Sequence, residues 1–110
     1  EYYSKSLAIR LNTLDENHPD VANSYNNIGS VYQEKGDNDK ALEYYSKSLA
    51  IRLNTLDENH PDVANSYNNI GSVYQEKGDN DKALEYYSKS LAIRLNTLDE
   101  NHTDMGYLLQ

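Results

Sequence analysis

Carboxylates and an imidazole stand together three times in this chain, in the phrase DENH at 15–18, 57–60 and 99–102. Those residue types are the raw material of a metal centre or of general acid–base catalysis. Their spacing argues against both. Neighbouring residues on one loop point in different directions, and no second cluster completes a coordination shell. His18, His60 and His102 occupy equivalent places in successive copies of one phrase, so they lie about one repeat apart and do not converge on one ion. We read them as loop or helix-start residues and expect no metal. Ser, His and Asp are all present, yet no nucleophile elbow and no Gly-rich phosphate loop frames them, so the chain reads as non-enzymatic and without a cofactor. Cysteine is absent, which removes disulfides, thiolate metal sites and a thiol nucleophile. Asn101-His102-Thr103 fits a glycosylation sequon, a three-residue match that we attribute to chance.

The charge narrows the partners. Eighteen acidic against 10 basic residues give a formal net charge of −8 over 110 residues. Nucleic acid binding calls for a basic stripe that displaces counterions, and a surface of this sign repels phosphate and anionic lipid alike. No apolar run is long enough to cross a bilayer. We expect a soluble, cytoplasmic chain, without nucleic acid or membrane partners. It starts without Met and inside its own repeat, which reads as a segment of a longer protein.

The elements that position these residues follow from repetition. Residues 1–42 are identical to 43–84, and 85–102 repeat the first part of the unit again, so the period is 42. A fixed period of this size marks a solenoid in which each unit buries its apolar face on the next. Within a unit, Val63, Tyr67, Ile70 and Tyr74 recur at spacings of four, three and four, with Ala64 and Val73 beside them, which is one face of a helix. Pro61 suits the first helical turn, Asp62 puts negative charge at the positive end of the dipole, and His60 falls at the cap. Gly78 offers a left-handed stop, and Asp79 can cap a second helix starting near Asn80. In that helix Leu84, Tyr87, Leu91, Leu95 and Leu98 form the expected inner stripe, and Glu85 with Lys89 marks the solvated side. The eleven tyrosines are mostly packing residues: Tyr25, Tyr32, Tyr45 and their copies are expected in the core, Tyr44 and Tyr86 partly exposed.

The fold class is therefore all-α, one array over 1–110. It comprises a partial repeat at 1–18 (second helix only), full repeats at 19–60 and 61–102, and a divergent partial first helix at 103–110.

These residues resemble the tetratricopeptide repeat. Tyr25 stands where that family has Trp, Ile28 and Gly29 take the Leu-Gly places, Tyr32 matches its Tyr, and Ala41 and Tyr45 match the Ala and aromatic of the second helix. The set recurs at Tyr67, Ile70, Gly71, Tyr74, Ala83 and Tyr87. Two departures stand out: the period is 42 rather than about 34, and Leu53 and Leu95 replace the terminal Pro, so the second helix should run on for about two turns. With SLAIR, HPDVA and NNIG in this order, the chain is similar to the 42-residue repeats of the kinesin light chain type. The resemblance implies a right-handed superhelical solenoid of antiparallel helix pairs and a non-enzymatic scaffold that binds a protein or extended peptide in its concave groove. By resemblance that groove is lined by Asn23, Asn26, Asn27, Ser30 and Gln33, and by Asn65, Asn68, Asn69, Ser72 and Gln75. Asn27 and Asn69 match asparagines that hold a peptide backbone in the kinesin light chain type. No Lys or Arg stands among these positions, so neutral or basic peptides are expected rather than acidic ones.

The alternative is a structural spacer or idealised repeat module without a dedicated ligand, which perfect repetition favours. Repetition also makes opposite ends complementary, and 103–110 is more apolar than the units it follows. Self-association by end-to-end stacking or helix exchange is accordingly expected, with Met105, Tyr107, Leu108 and Leu109 at the contact.

Overall fold

The computed structural model describes the backbone of residues 16–109 and the side chains of 16–98. The expected second-type helix over 1–18 lies almost wholly outside the described residues. So do the side chains of Met105, Tyr107, Leu108 and Leu109.

Among the described residues four helices follow one another: α1 (Pro19–Glu34), α2 (Asn38–Thr55), α3 (Pro61–Glu76) and α4 (Asn80–Leu109). No strand occurs among the described residues. α1 and α2 form one hairpin, α3 and α4 the next, giving an all-α helical repeat fold.

Each boundary has a local cause. His60 caps α3: its Nδ1 accepts the Asp62 N–H at 3.0 Å, with Pro61 at the first helical position, and His18 does the same for α1 with the Asp20 N–H at 3.1 Å. At the other end of α3, the Gly78 N–H donates to the Gln75 carbonyl and the Asp79 N–H to the Tyr74 carbonyl, with Gly78 at φ 85°. This is a Schellman stop, and its left-handed residue costs a glycine least. The Asp79 carboxylate then accepts the Lys82 N–H at 3.1 Å and opens α4. Gly36 and Asp37 repeat the device between α1 and α2. The expected starts, and the stops at Gly36 and Gly78, are those observed; the expected run-on of the second helix is not, since α2 ends at Thr55, two residues past Leu53 rather than two turns.

The far end of α4 differs from expectation. Residues 38–60 and 80–102 have the same sequence, yet α2 stops at Thr55 while α4 continues as one helix through the third DENH to Leu109. The first difference between the two stretches is Pro61 against Thr103. A proline pushes the residue before it out of the helical region and its ring collides with the carbonyl four residues back. Thr103 imposes neither constraint. Over 103–109 the backbone therefore shows no separate first-type helix.

The core confirms one stripe and redirects the other. Val63, Ala64, Ile70 and Val73 of α3 are buried, Tyr67 and Tyr74 half-buried. In α4, however, Leu84, Leu91, Leu95 and Leu98 are exposed; the side chains turned inward are Ala83, Ser90 and Ile93, with Tyr87 half-buried beside them. α2 explains the error. Its Ala41, Tyr45, Ser48 and Ile51 are buried, while Leu42, Leu49 and Leu56 pack sideways onto the next hairpin. A second helix carries two apolar faces, one for its own repeat and one for the neighbour. Tyr44 and Tyr86 are half-buried, stacked on Tyr32 and Tyr74 with ring centroids 5.6 Å apart in both copies.

Close approach within a hairpin rests on Gly29 and Gly71. A Cβ built on Gly71 would lie 2.9 Å from Tyr87 Cδ1 and 3.3 Å from the Ala83 carbonyl oxygen; one on Gly29 would lie 2.8 Å from Tyr45 Cδ1. Gly71→Leu should therefore cost about 1–3 kcal/mol by overpacking. Urea melts check this, and wild-type stability in that variant would contradict the close contact between α3 and α4.

Candidate functional site

Polar side chains join the consecutive first helices α1 and α3. Asn69 Nδ2 of α3 donates to Asn26 Oδ1 of α1 at 3.0 Å. Gln33 Nε2 donates to Ser72 Oγ at 2.7 Å and to Glu76 Oε1 at 3.0 Å. From behind, the Tyr45 hydroxyl of α2 donates to Gln33 Oε1 at 2.8 Å, and the Tyr87 hydroxyl donates to Gln75 Oε1 at the same distance. Burial pushes the Tyr45 phenol above its ordinary value; the hydrogen bond with Ser30 offsets part of this, and the carboxylates of Glu76 and Glu34 add to it. The hydroxyl stays a neutral donor, and the glutamine it holds is fixed in orientation.

The ten amide and hydroxyl residues expected on this face thus fall into four groups. Asn26, Asn69, Gln33 and Ser72 connect α1 to α3, while Ser30 and Gln75 are tied to the tyrosines behind them. Asn27 and Asn68 are exposed. Asn23 and Asn65 have a role that the sequence did not announce: their Oδ1 atoms accept from Arg52 Nη2 at 3.1 Å and Arg94 Nη2 at 3.0 Å. An amide with one N–H committed retains an oxygen and a second N–H, so the row can still offer both halves of a backbone hydrogen-bond pair.

Arg52 is the residue that sequence reasoning missed. It is buried, and besides Asn23 of α1 it reaches α3, where Nη1 donates to Ser66 Oγ at 2.8 Å and to the Asp62 carbonyl at 3.2 Å. Burial lowers its proton affinity and the Asp62 carboxylate works in the opposite sense. The available signal was its place in SLAIR, next to the buried isoleucine.

The DENH turn has a structural use at 57–60. Asp57 accepts the Asn59 N–H through its carboxylate and the His60 N–H through its carbonyl, and His60 caps α3. Among the described residues no group of three or more His, Cys, Asp or Glu is placed to hold a metal ion, and no helix is long and apolar enough to cross a membrane.

Comparisons agree with this architecture. The sequence profile named Tetratricopeptide repeat matches residues 1–54 and 20–96. A putative kinesin light chain with nearly identical TPR-like repeats from Podosopora anserina superposes with a TM-score of 0.78 at 28% identity, over 86% of this chain and 45% of that one. BtubC (BKLC) from P. vanneervenii gives 0.79 at 31% identity, over 87% and 39%. MamA gives 0.59 at 32% identity, over 71% and 41%. The chain spans less than half the length of each of these proteins. A comparison with curated protein sequences finds no match.

Proposed function

Because the chain belongs to the tetratricopeptide repeat family, in the form resembling kinesin light chain repeats, we propose that it is a non-enzymatic scaffold whose α1–α3 face takes an extended, neutral or basic peptide. Repeats of this family mediate protein–protein interaction. The observation that carries the finer reading is the amide row: Asn26 and Asn69 bonded across two helices, with Asn27 and Asn68 exposed beside them. Bonds among the row's own members fix its geometry before any ligand arrives, so less side-chain entropy is lost on binding. The net charge of −8 favours neutral or basic sequences over acidic ones.

A peptide array probed with the full chain tests this reading. Saturable binding to a subset of neutral or basic peptides is expected, weakened at least about ten-fold in the Asn27→Ala, Asn69→Ala double variant. Uniform absence of binding, or binding indifferent to those substitutions, would leave the chain as a spacer.

A further inference from the structure

Each hairpin carries a column of three tyrosine rings shared between its two helices. Tyr44 of α2 stacks on Tyr32 of α1 with centroids 5.6 Å apart and planes 13° from parallel, and it leans on Tyr25 at 5.9 Å and 37°. The second hairpin repeats this, with Tyr86 stacked on Tyr74 at 5.6 Å and 11° and tilted against Tyr67 at 6.1 Å and 35°. All six rings are half-buried. Carbon atoms of stacked rings settle about 3.5–4 Å apart, so a centroid distance of 5.6 Å means rings slipped sideways by about 4 Å. Slip of that size overlaps ring edges, not ring centres. The chain has no Trp, no Phe and no Cys, and its eleven tyrosines are its whole aromatic content. Trp and Cys, which ordinarily compete for a one-electron oxidant, are missing, so the oxidising equivalent falls to tyrosine.

We propose that Tyr32 with Tyr44, and Tyr74 with Tyr86, are oxidative modification sites at which two equivalents of a one-electron oxidant, a high-valent haem or a photogenerated metal complex, close a dityrosine link within each hairpin. Each phenol gives one electron to the oxidant and its proton to water. The two phenoxyl radicals join through one carbon ortho to each oxygen, and the hydrogen on each of these carbons passes to the oxygen as aromaticity returns. One C–C bond forms, two C–H bonds break, and two electrons and two protons leave in all. The lysines favour the neutral radical on this route: Lys47 Nζ lies 4.9 Å from the Tyr44 centroid, Lys89 Nζ 5.0 Å from that of Tyr86 and Lys82 Nζ 5.3 Å from that of Tyr74. A cation over the ring makes a radical cation costly, so the proton leaves with the electron. Tyr25 and Tyr67, tilted and farther from the central ring, are the poorer coupling partners. The link uses none of the amide residues of the α1–α3 face, so either reading can fail without the other.

The full chain, oxidised with photoexcited tris(bipyridine)ruthenium and persulfate, should give a monomer with dityrosine fluorescence, lighter by two hydrogens per link, in a yield independent of protein concentration. Two double variants with equal numbers of tyrosines separate stacking from tyrosine content. Tyr32→Phe with Tyr86→Phe takes one phenol from each stack and should reduce the monomeric link to the level of the unfolded chain. Tyr74→Phe with Tyr86→Phe empties one stack only and should leave about half the link, the two hairpins acting independently. Phenylalanine keeps the ring and its packing, and circular dichroism checks that each variant folds. Oxidation of the unsubstituted chain in urea needs no variant: the native yield should exceed the unfolded one several-fold, because only the folded chain holds the rings together. Equal yields in the two double variants, equal yields folded and unfolded, or dityrosine confined to covalent dimers overturns the proposal.

Discussion

Arg52→Ala should destabilise the chain by about 2–4 kcal/mol, while Arg94→Ala, the same substitution in the same local sequence, should cost under about 1 kcal/mol. The difference comes from what each guanidinium holds. Arg52 is buried and donates to three acceptors on two helices, Asn23 in α1 and Ser66 and the Asp62 carbonyl in α3. Truncating it strands the buried Ser66 hydroxyl and opens a gap between hairpins, and an unsatisfied buried polar group costs about 1–3 kcal/mol. Arg94 is exposed, and water replaces its bonds to Asn65 and Ser90. Arg52→Lys should recover only part of the loss, since a single ammonium cannot span acceptors on both sides as a planar fork does. Urea melts of the four proteins measure this. Equal losses at positions 52 and 94 would show that Arg52 does not tie the repeats together.

Much of the fold was legible because its punctuation is local. His60, Pro61 and Asp62 open a helix through contacts two residues apart, and Gly78 with Asp79 closes one helix and caps the next within a few residues. Ile70 and Gly71 were legible because an apolar stripe and a small residue at a helix crossing leave direct traces in sequence. The leucines of α4 were misassigned for a physical reason: periodicity shows that a face is apolar, not which neighbour it serves. Leu42 and Leu84 stand in identical sequence, yet one is half-buried and the other exposed, because only the first has another hairpin beside it. Arg52 escaped for the opposite reason, since an arginine in an amphipathic helix ordinarily reads as a solvated residue and its acceptors lie 10, 14 and 29 positions away.

The amide row shows the same limit. Its composition could be read from the sequence, and resemblance placed it on one face. Which amides are spent on the scaffold could not be read, because Asn69 meets Asn26 across 43 positions and Gln33 meets Ser72 across 39. Identical amides in the two copies therefore do different work. Gln33 bridges to the following helix through Ser72 and Glu76, while Gln75, the same residue one unit on, is exposed and accepts from Tyr87. In a repeat array, a residue's role depends on its neighbours as much as on its own unit.

Ile70→Ala should cost about 2–5 kcal/mol and Ile70→Val about 0.5–1.5 kcal/mol. Ile70 is 3% exposed, in a cluster with Ala41, Tyr45 and Val73 that Tyr32 of α1 and Tyr86 of α4 pack against, so all four helices meet around it. Removing its outer carbons loses their transfer free energy and leaves a cavity whose walls are held by helix backbones on several sides, which limits collapse. The position also couples the hairpins. In a linear array, stability is the sum of what each repeat supplies and what each interface adds, so weakening the α2–α3 contact should loosen the joint unfolding of the two halves. The alanine variant should thus unfold with a lower midpoint and a shallower denaturant dependence, and the valine variant with a lower midpoint alone. Ile28, its copy in α1, packs among the described residues only with α1 and α2, so Ile28→Ala should leave the steepness unchanged. A cost under about 1 kcal/mol for Ile70→Ala, below the range for a buried isoleucine, would remove this residue from the core and with it the joint that makes two hairpins unfold as one.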